Sequence, residues 1–86
     1  MLIKGRKFYD AVKMFIHNFE FRKALKVAKK VKEKKPDMDW LEDYVILHRE
    51  RYLKEVGADK ENDELFKELH PKRTFEDIKN LKASMN

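Results

Sequence analysis

A length of 86 residues, a net charge of +5 and no cysteine confine the chain to one small domain, or part of a larger one. Disulfide staples and thiolate metal sites are excluded. Charged residues make up 43% and aromatic residues 12%, too many aromatics for disorder and a balance that suits helices with one apolar and one charged face. Two glycines and two prolines are too few for a β-rich fold, and no apolar run approaches the roughly 18 residues that span a membrane.

The predicted elements are all helical. The first runs from about Gly5 to Asn18, with Phe8, Ala11, Val12, Phe15 and Ile16 in one stripe. The second runs from about Glu20 to Lys34, with Phe21, Ala24, Leu25, Ala28 and Val31 in its stripe. The short gap at Asn18 makes residues 5–34 an antiparallel hairpin, with its small alanines allowing close approach. Phe8-x-x-Ala11-Val12 and Phe21-x-x-Ala24-Leu25 echo one another, as units of a helical solenoid do. Pro36 breaks a charged connection. The longest helix follows over 39–56, capped by Asp37 or Asp39 at its start and by Gly57 at its end. Leu41, Tyr44, Val45, His48 and Tyr52 keep its period. A short fourth helix is expected over 60–69, ended by Pro71. A fifth is expected over 74–83, opened by Thr74 and Asp77 in a variant capping box. The expected fold class is all-α: one module of antiparallel helical hairpins, a TPR-like α-solenoid fragment. Phe8, Phe15, Phe21, Leu25, Leu41, Val45 and Tyr52 are expected to be largely buried.

Charge is unevenly spread. Residues 1–35 hold 12 basic and 3 acidic side chains (+9), residues 36–70 hold 5 and 11 (−6), and residues 71–86 hold 4 and 2 (+2). This polarity favours an acidic element beside a basic one, in the same chain or a neighbour. The basic run supplies a candidate charged surface: Arg22, Lys23, Lys26, Lys29 and Lys30. Its apolar positions keep helical period, so the lysines form a solvated face. That disfavours, without abolishing, a nucleic-acid-binding reading.

Catalytic and metal chemistry find little support. His17, His48 and His70 fall on separate elements with no ligand spacing. The carboxylates of Asp37, Asp39, Glu42, Asp43, Asp59, Glu61, Asp63 and Glu64 read as acids near helix starts, and the stretch Asp59 to Glu64 lacks the glycine and the spaced ligands of a calcium loop. No phosphate-cradling glycine loop or nucleophile motif is present. No enzymatic activity, cofactor or metal is expected. The candidate protein interface is the aromatic set Trp40, Tyr44, His48 and Tyr52. The chain also lacks the N-terminal apolar stretch of a signal peptide, so cytosol or a compartment reached from it is expected.

Several stretches resemble a known family. Tyr9 to Ala28 is similar to a late helical hairpin of the intraflagellar transport protein 80 family, with Ala11-Val12, Phe19, Phe21 and Lys23-Ala24-Leu25-Lys26-Val27-Ala28 in the places of that family's pattern. Val45-Ile46-Leu47-His48-Arg49-Glu50-Arg51-Tyr52-Leu53, followed by Gly57 and Asn62, resembles its V-L-x-x-R-x-K-[FY]-L helix. Phe75-Glu76-Asp77-Ile78-Lys79 is similar to a last, lysine-rich helix. Phe21 stands where tryptophan is usual, the 32–39 connection is longer, and the family's two WD-repeat β-propellers are absent from these residues. The resemblance implies a C-terminal scaffold piece of a complex B subunit, acting in cilium assembly and transport along the axoneme. The implied partners are other complex B subunits or a second copy, with a ciliary and cytoplasmic location and no membrane insertion.

Overall fold

The structure is a computed structural model that describes residues 3–83, with side chains over 7–83. Four α-helices follow one another: α1 Ile3–His17, α2 Phe21–Lys34, α3 Trp40–Val56 and α4 Phe75–Ala83. No strand occurs among the described residues. An all-α, TPR-like architecture is therefore what the sequence period builds.

The α1–α2 hairpin closes through residues 18–20. Phe19 N–H donates to the Ile16 carbonyl at 3.0 Å and Glu20 N–H to the Phe15 carbonyl at 2.8 Å. This is the paired hydrogen-bond signature of a Schellman helix end. The residue that takes the left-handed conformation is Phe19, at φ 60°, one position beyond the expected break at Asn18. From there Phe21 enters the core with Ala24, Leu25, Ala28 and Val31 on the buried side of α2. Ala24 and Ala28 are fully covered, so α2 approaches its neighbours closely.

α2 ends where Lys35 N–H reaches the Val31 carbonyl at 2.7 Å. A 3₁₀ turn at Pro36–Met38 then buries Met38 and redirects the chain into α3. Neither Asp37 nor Asp39 acts as the expected cap, since Asp39 is helical in conformation and its side chain makes no cap hydrogen bond. Asp39 instead pairs with Arg73 at 3.2 Å. α3 packs against α2 and α1 on one side and α4 on another. It ends at Gly57, φ 75°, where Gly57 N–H bonds Lys54 O at 3.3 Å and Ala58 N–H bonds Leu53 O at 2.8 Å.

The helix expected over 60–69 does not form. A 3₁₀ turn occupies Lys60–Asn62 and irregular turns follow. The cause is local competition from side chains. Asp59 accepts from Glu61 N–H, and one Asp63 oxygen accepts from Leu65 N–H and Phe66 N–H at 3.1 and 3.3 Å. Aspartates that satisfy nearby backbone donors replace the helical ladder. Phe66, 1% exposed, pins this segment to the core. α4 begins as the sequence suggests, with Asp77 N–H on Thr74 Oγ1 at 3.2 Å and Thr74 N–H on Asp77 Oδ2 at 3.0 Å.

One apolar cluster joins all four helices with Met38 and Phe66. Phe21, Leu25, Leu41 and Val45 are buried in it, while Phe8, Phe15 and Tyr52 are only partly buried at its margin.

Candidate protein-interaction surface

Arg49, in the middle of α3, organises the margin of the core. Its guanidinium carbon lies 5.1, 5.3 and 5.7 Å from the ring centres of Phe21, Tyr52 and Phe66. Its Nε donates to Asp63 Oδ2 at 2.7 Å. A planar, weakly hydrated cation can lie against rings and still bond a carboxylate. Burial alone would raise the Asp63 pKa. The hydrogen bond from Arg49 and the Phe66 and Leu65 N–H groups outweigh it and hold the carboxyl below its ordinary value.

Phe19 and Tyr52 extend this margin into solvent. Their ring centres are 5.4 Å apart, and Tyr52 is again 5.4 Å from Phe21. Phe19 is nevertheless 68% exposed, and Val56, one helical turn beyond Tyr52, is 56% exposed. A cleft of about 210 Å³ opens here, lined by Ile16, Phe19, Phe21, His48, Arg51, Tyr52 and Glu55. His48 sits edge-on between Tyr44 and Phe75, with ring centres at 4.5 and 5.0 Å. Burial, then the charges of Arg51, His17 and Lys82, lower its pKa to about 4. At neutral pH the imidazole is therefore uncharged.

Of the four expected interface aromatics, Trp40 and Tyr44 lie inside the chain, 2% and 7% exposed. Tyr9 packs on both, at 6.0 and 5.4 Å between ring centres. Lys82 Nζ donates to the Tyr9 hydroxyl at 2.8 Å and lies over its ring. Burial would raise the Tyr9 pKa, but bonds to Lys82 and Tyr44 bring it below the usual value. Burial and Tyr9 raise that of Tyr44. These rings fill the α1–α3–α4 junction and are not presented to a partner. His48 and Tyr52 are half-buried and face the cleft.

The basic set divides cleanly from the cleft lining. Arg22, Lys23, Lys26, Lys29 and Lys30 are all exposed on α2. Lys23 pairs with Glu20 at 3.0 Å, and the other four make no ion pair among the described residues. The basic second and acidic third helices meet through Lys32 and Glu42 at 3.3 Å. Other α3 acids turn toward the later chain. Buried Asp43 accepts from Lys72 N–H at 3.0 Å and Arg73 Nη1 at 2.9 Å, and Glu50 pairs with Lys60. Among the described residues, no three His, Asp or Glu side chains are placed to hold a metal ion, and no helix is long and apolar enough to cross a membrane.

Phe19 and Arg49 are the surface-shaping residues that the aromatic pattern alone does not single out. The three-residue spacing of Arg49 and Tyr52 on one helix is the available signal for the second. Nothing local marks Phe19, because left-handed positions favour Gly or Asn. A family model described as the IFT80/172/WDR35/WDR19 TPR domain matches residues 1–86. No curated protein and no solved structure matches the chain.

Proposed function

The chain belongs to the IFT80/172/WDR35/WDR19 TPR domain family, and on that premise we propose that it is a non-catalytic scaffold module of intraflagellar transport. The observation that carries this reading is the family match along residues 1–86. Stacked helices of this type bury one face against a neighbour and offer the next face to another protein. Here the offered face holds Phe19, His48, Tyr52 and Val56, and aromatic anchors in such positions supply most binding energy. The likeness of Val45–Leu53 to the intraflagellar transport protein 80 helix favours a complex B subunit, working in cilium assembly at the ciliary base and along the axoneme. Its partners are other transport subunits or a second copy of the chain.

Co-sedimentation of the tagged chain with transport complexes from cilia tests this. Association at near-stoichiometric levels is expected, and a chain that sediments alone at every concentration overturns the reading. The cations Arg22, Lys26, Lys29 and Lys30, which make no ion pair among the described residues, favour one alternative, a small basic nucleic-acid-binding protein. Affinity for duplex or single-stranded nucleic acid that falls steeply with salt, with no transport complex bound, would select it.

A further inference from the structure

We propose that the outer face of α2 is a docking surface for an acidic segment of another protein, a run of closely spaced aspartates and glutamates. This rests on the reading of the chain as a protein-interaction module and adds to that module a second surface and the chemistry of what it holds.

The first observation is where the charge lies. α2 carries one arginine, six lysines and a single acid, Glu33, a net +6. The whole chain carries +5, so everything outside α2 sums to −1. At about 100° per residue, Arg22, Lys23, Lys26, Lys29, Lys30 and Lys34 share an arc of about 140° along about 18 Å of helix, with Glu33 among them. All six cations are exposed.

The second is what this face does to its own helix. Arg22–Lys26, Lys26–Lys30 and Lys30–Lys34 are four residues apart, and Lys26 is three from both Lys23 and Lys29. Like charges at these spacings destabilise a helix. The first turn of α2 holds two cations and no acid, the reverse of what the positive end of a helix favours. Glu20 answers Lys23, but Arg22, Lys26, Lys29 and Lys30 make no ion pair among the described residues. A surface that serves solubility alone intersperses both signs. Here the counter-charge is left to a partner.

The third is the shape of the field, which selects the partner. No large hydrophobic side chain of α2 is exposed. The face therefore offers no ring on which an unpaired base stacks and no apolar flank to enter a bilayer. Affinity for a duplex scales with the phosphates neutralised, and a field one helix wide on a near-neutral body reaches few. An extended acidic run of about six residues matches its length, and flexible lysine stems follow carboxylates without a fixed geometry. A second copy answers the face poorly. Its α3 acids, Glu42, Asp43, Glu50 and Glu55, are each paired within the chain. Its α4 sets Glu76 and Asp77 beside Lys79 and Lys82, and Lys60 and Lys67 interrupt the acids of 59–68.

Labelled octaglutamate, octaglutamine, a DNA duplex and its single strand, titrated by anisotropy against the full chain at low salt, provide the test. Octaglutamate should bind at least about tenfold tighter than octaglutamine and tighter than either DNA, with amide shifts gathered on residues 22–34. Lys26→Glu should weaken octaglutamate about tenfold or more. Its melting temperature should hold or rise, because four like-charge neighbours become opposite-charge pairs. Lys79→Glu makes the same change of net charge on α4 and should bind as the wild type does. Equal binding of the two peptides, no binding of octaglutamate, wild-type affinity in Lys26→Glu, or an equal loss in Lys79→Glu would each overturn the assignment. Tighter binding of DNA would give the face to nucleic acid, and self-association abolished by Lys26→Glu would give it to a second copy; either overturns the proposal. The module reading survives these outcomes if the chain still co-sediments with transport complexes. Octaglutamate binding on α2 without such co-sedimentation overturns the transport reading instead.

Discussion

The turn after α1 and the connection after α3 leave their helices through the same pair of backbone hydrogen bonds, and then diverge. The first spends three residues, places a phenylalanine at φ 60°, and delivers Phe21 directly into the core. The second begins with an unstrained glycine and wanders over 58–74 before α4. Apolar burial fixes the short turn. The long connection is fixed by one buried ring and a set of side-chain ties: Asp63 with Arg49, Glu50 with Lys60, and Asp43 with Lys72 and Arg73. Two routes between helices therefore rest on different forces and should fail under different conditions.

Removing the fully buried ring of the long connection should have the largest effect. Phe66→Ala deletes a ring that is 1% exposed and should cost about 3–5 kcal/mol in chemical denaturation. A loss below about 1 kcal/mol would mean that the ties suffice without it. Asp43→Ala comes next, at about 2–3 kcal/mol. It leaves a backbone N–H and one arm of Arg73 unpaired, while Asp39 still holds the other arm. The melting temperature should fall while the α1–α2 amides keep their protection from exchange. Simultaneous exposure of both regions would erase the distinction.

Acid separates the two regions in the opposite sense. His48 titrates near 4 in the folded chain and near 6.5 when unfolded. The unfolded chain therefore binds the extra proton between those values. Stability contributed by the neutral imidazole is complete above about pH 6.5 and is lost as pH falls toward 4. Allowing for its partial contact with water, about 1–2 kcal/mol should disappear. The Asp63 carboxyl, held below its ordinary value, stays ionised through the same window and weakens only at lower pH. His48→Gln should flatten the melting-temperature profile between pH 4 and 6.5; an unchanged slope would assign it to other groups.

The two helix ends supply the smallest and most direct comparison. At Gly57 a β-carbon would meet no atom within 4 Å, so Gly57→Ala reads backbone strain alone, about 1 kcal/mol destabilising. Phe19→Gly should have the opposite sign, stabilising by about 0.5 kcal/mol once the lost contact with Tyr52 is subtracted. Equal signs for the pair, measured by thermal melts in one buffer, would show that the two ends are not equivalent in backbone terms.

The helices were legible because apolar residues recur at helical spacing through α1, α2 and α4, and because Gly57 and the Thr74–Asp77 pair are strong local end signals. The 60–69 segment was not, since its apolar residues fit a helix and only the positions of Asp59 and Asp63 hinted at competing turns. Of the candidate interface residues, His48 and Tyr52 reach the surface and Trp40 and Tyr44 do not. α3 buries Trp40, Leu41, Asp43, Tyr44, Val45, Ile46 and Leu53, apolar on nearly every side of its first turns. Periodicity cannot then say which stripe is core and which is surface. Trp40 and Tyr44 look equivalent to His48 and Tyr52 until Tyr9 and Lys82 are seen to cover them. The basic face was plain, because five long cations on one side of a helix cannot be buried together.

Lys60 closes the 60–69 segment by donating to the Leu69 carbonyl at 2.6 Å while pairing with Glu50. A clasp made by a flexible side chain sets no fixed residue count between its ends. Within α3, one inserted residue would rotate everything after it by about 100° and turn a buried stripe toward water. Between Asn62 and Asp63 the same insertion only lengthens a loop, at a small entropic cost that grows with the logarithm of its length. The clasped segment is thus the stretch where this chain can change length and keep its helices in register.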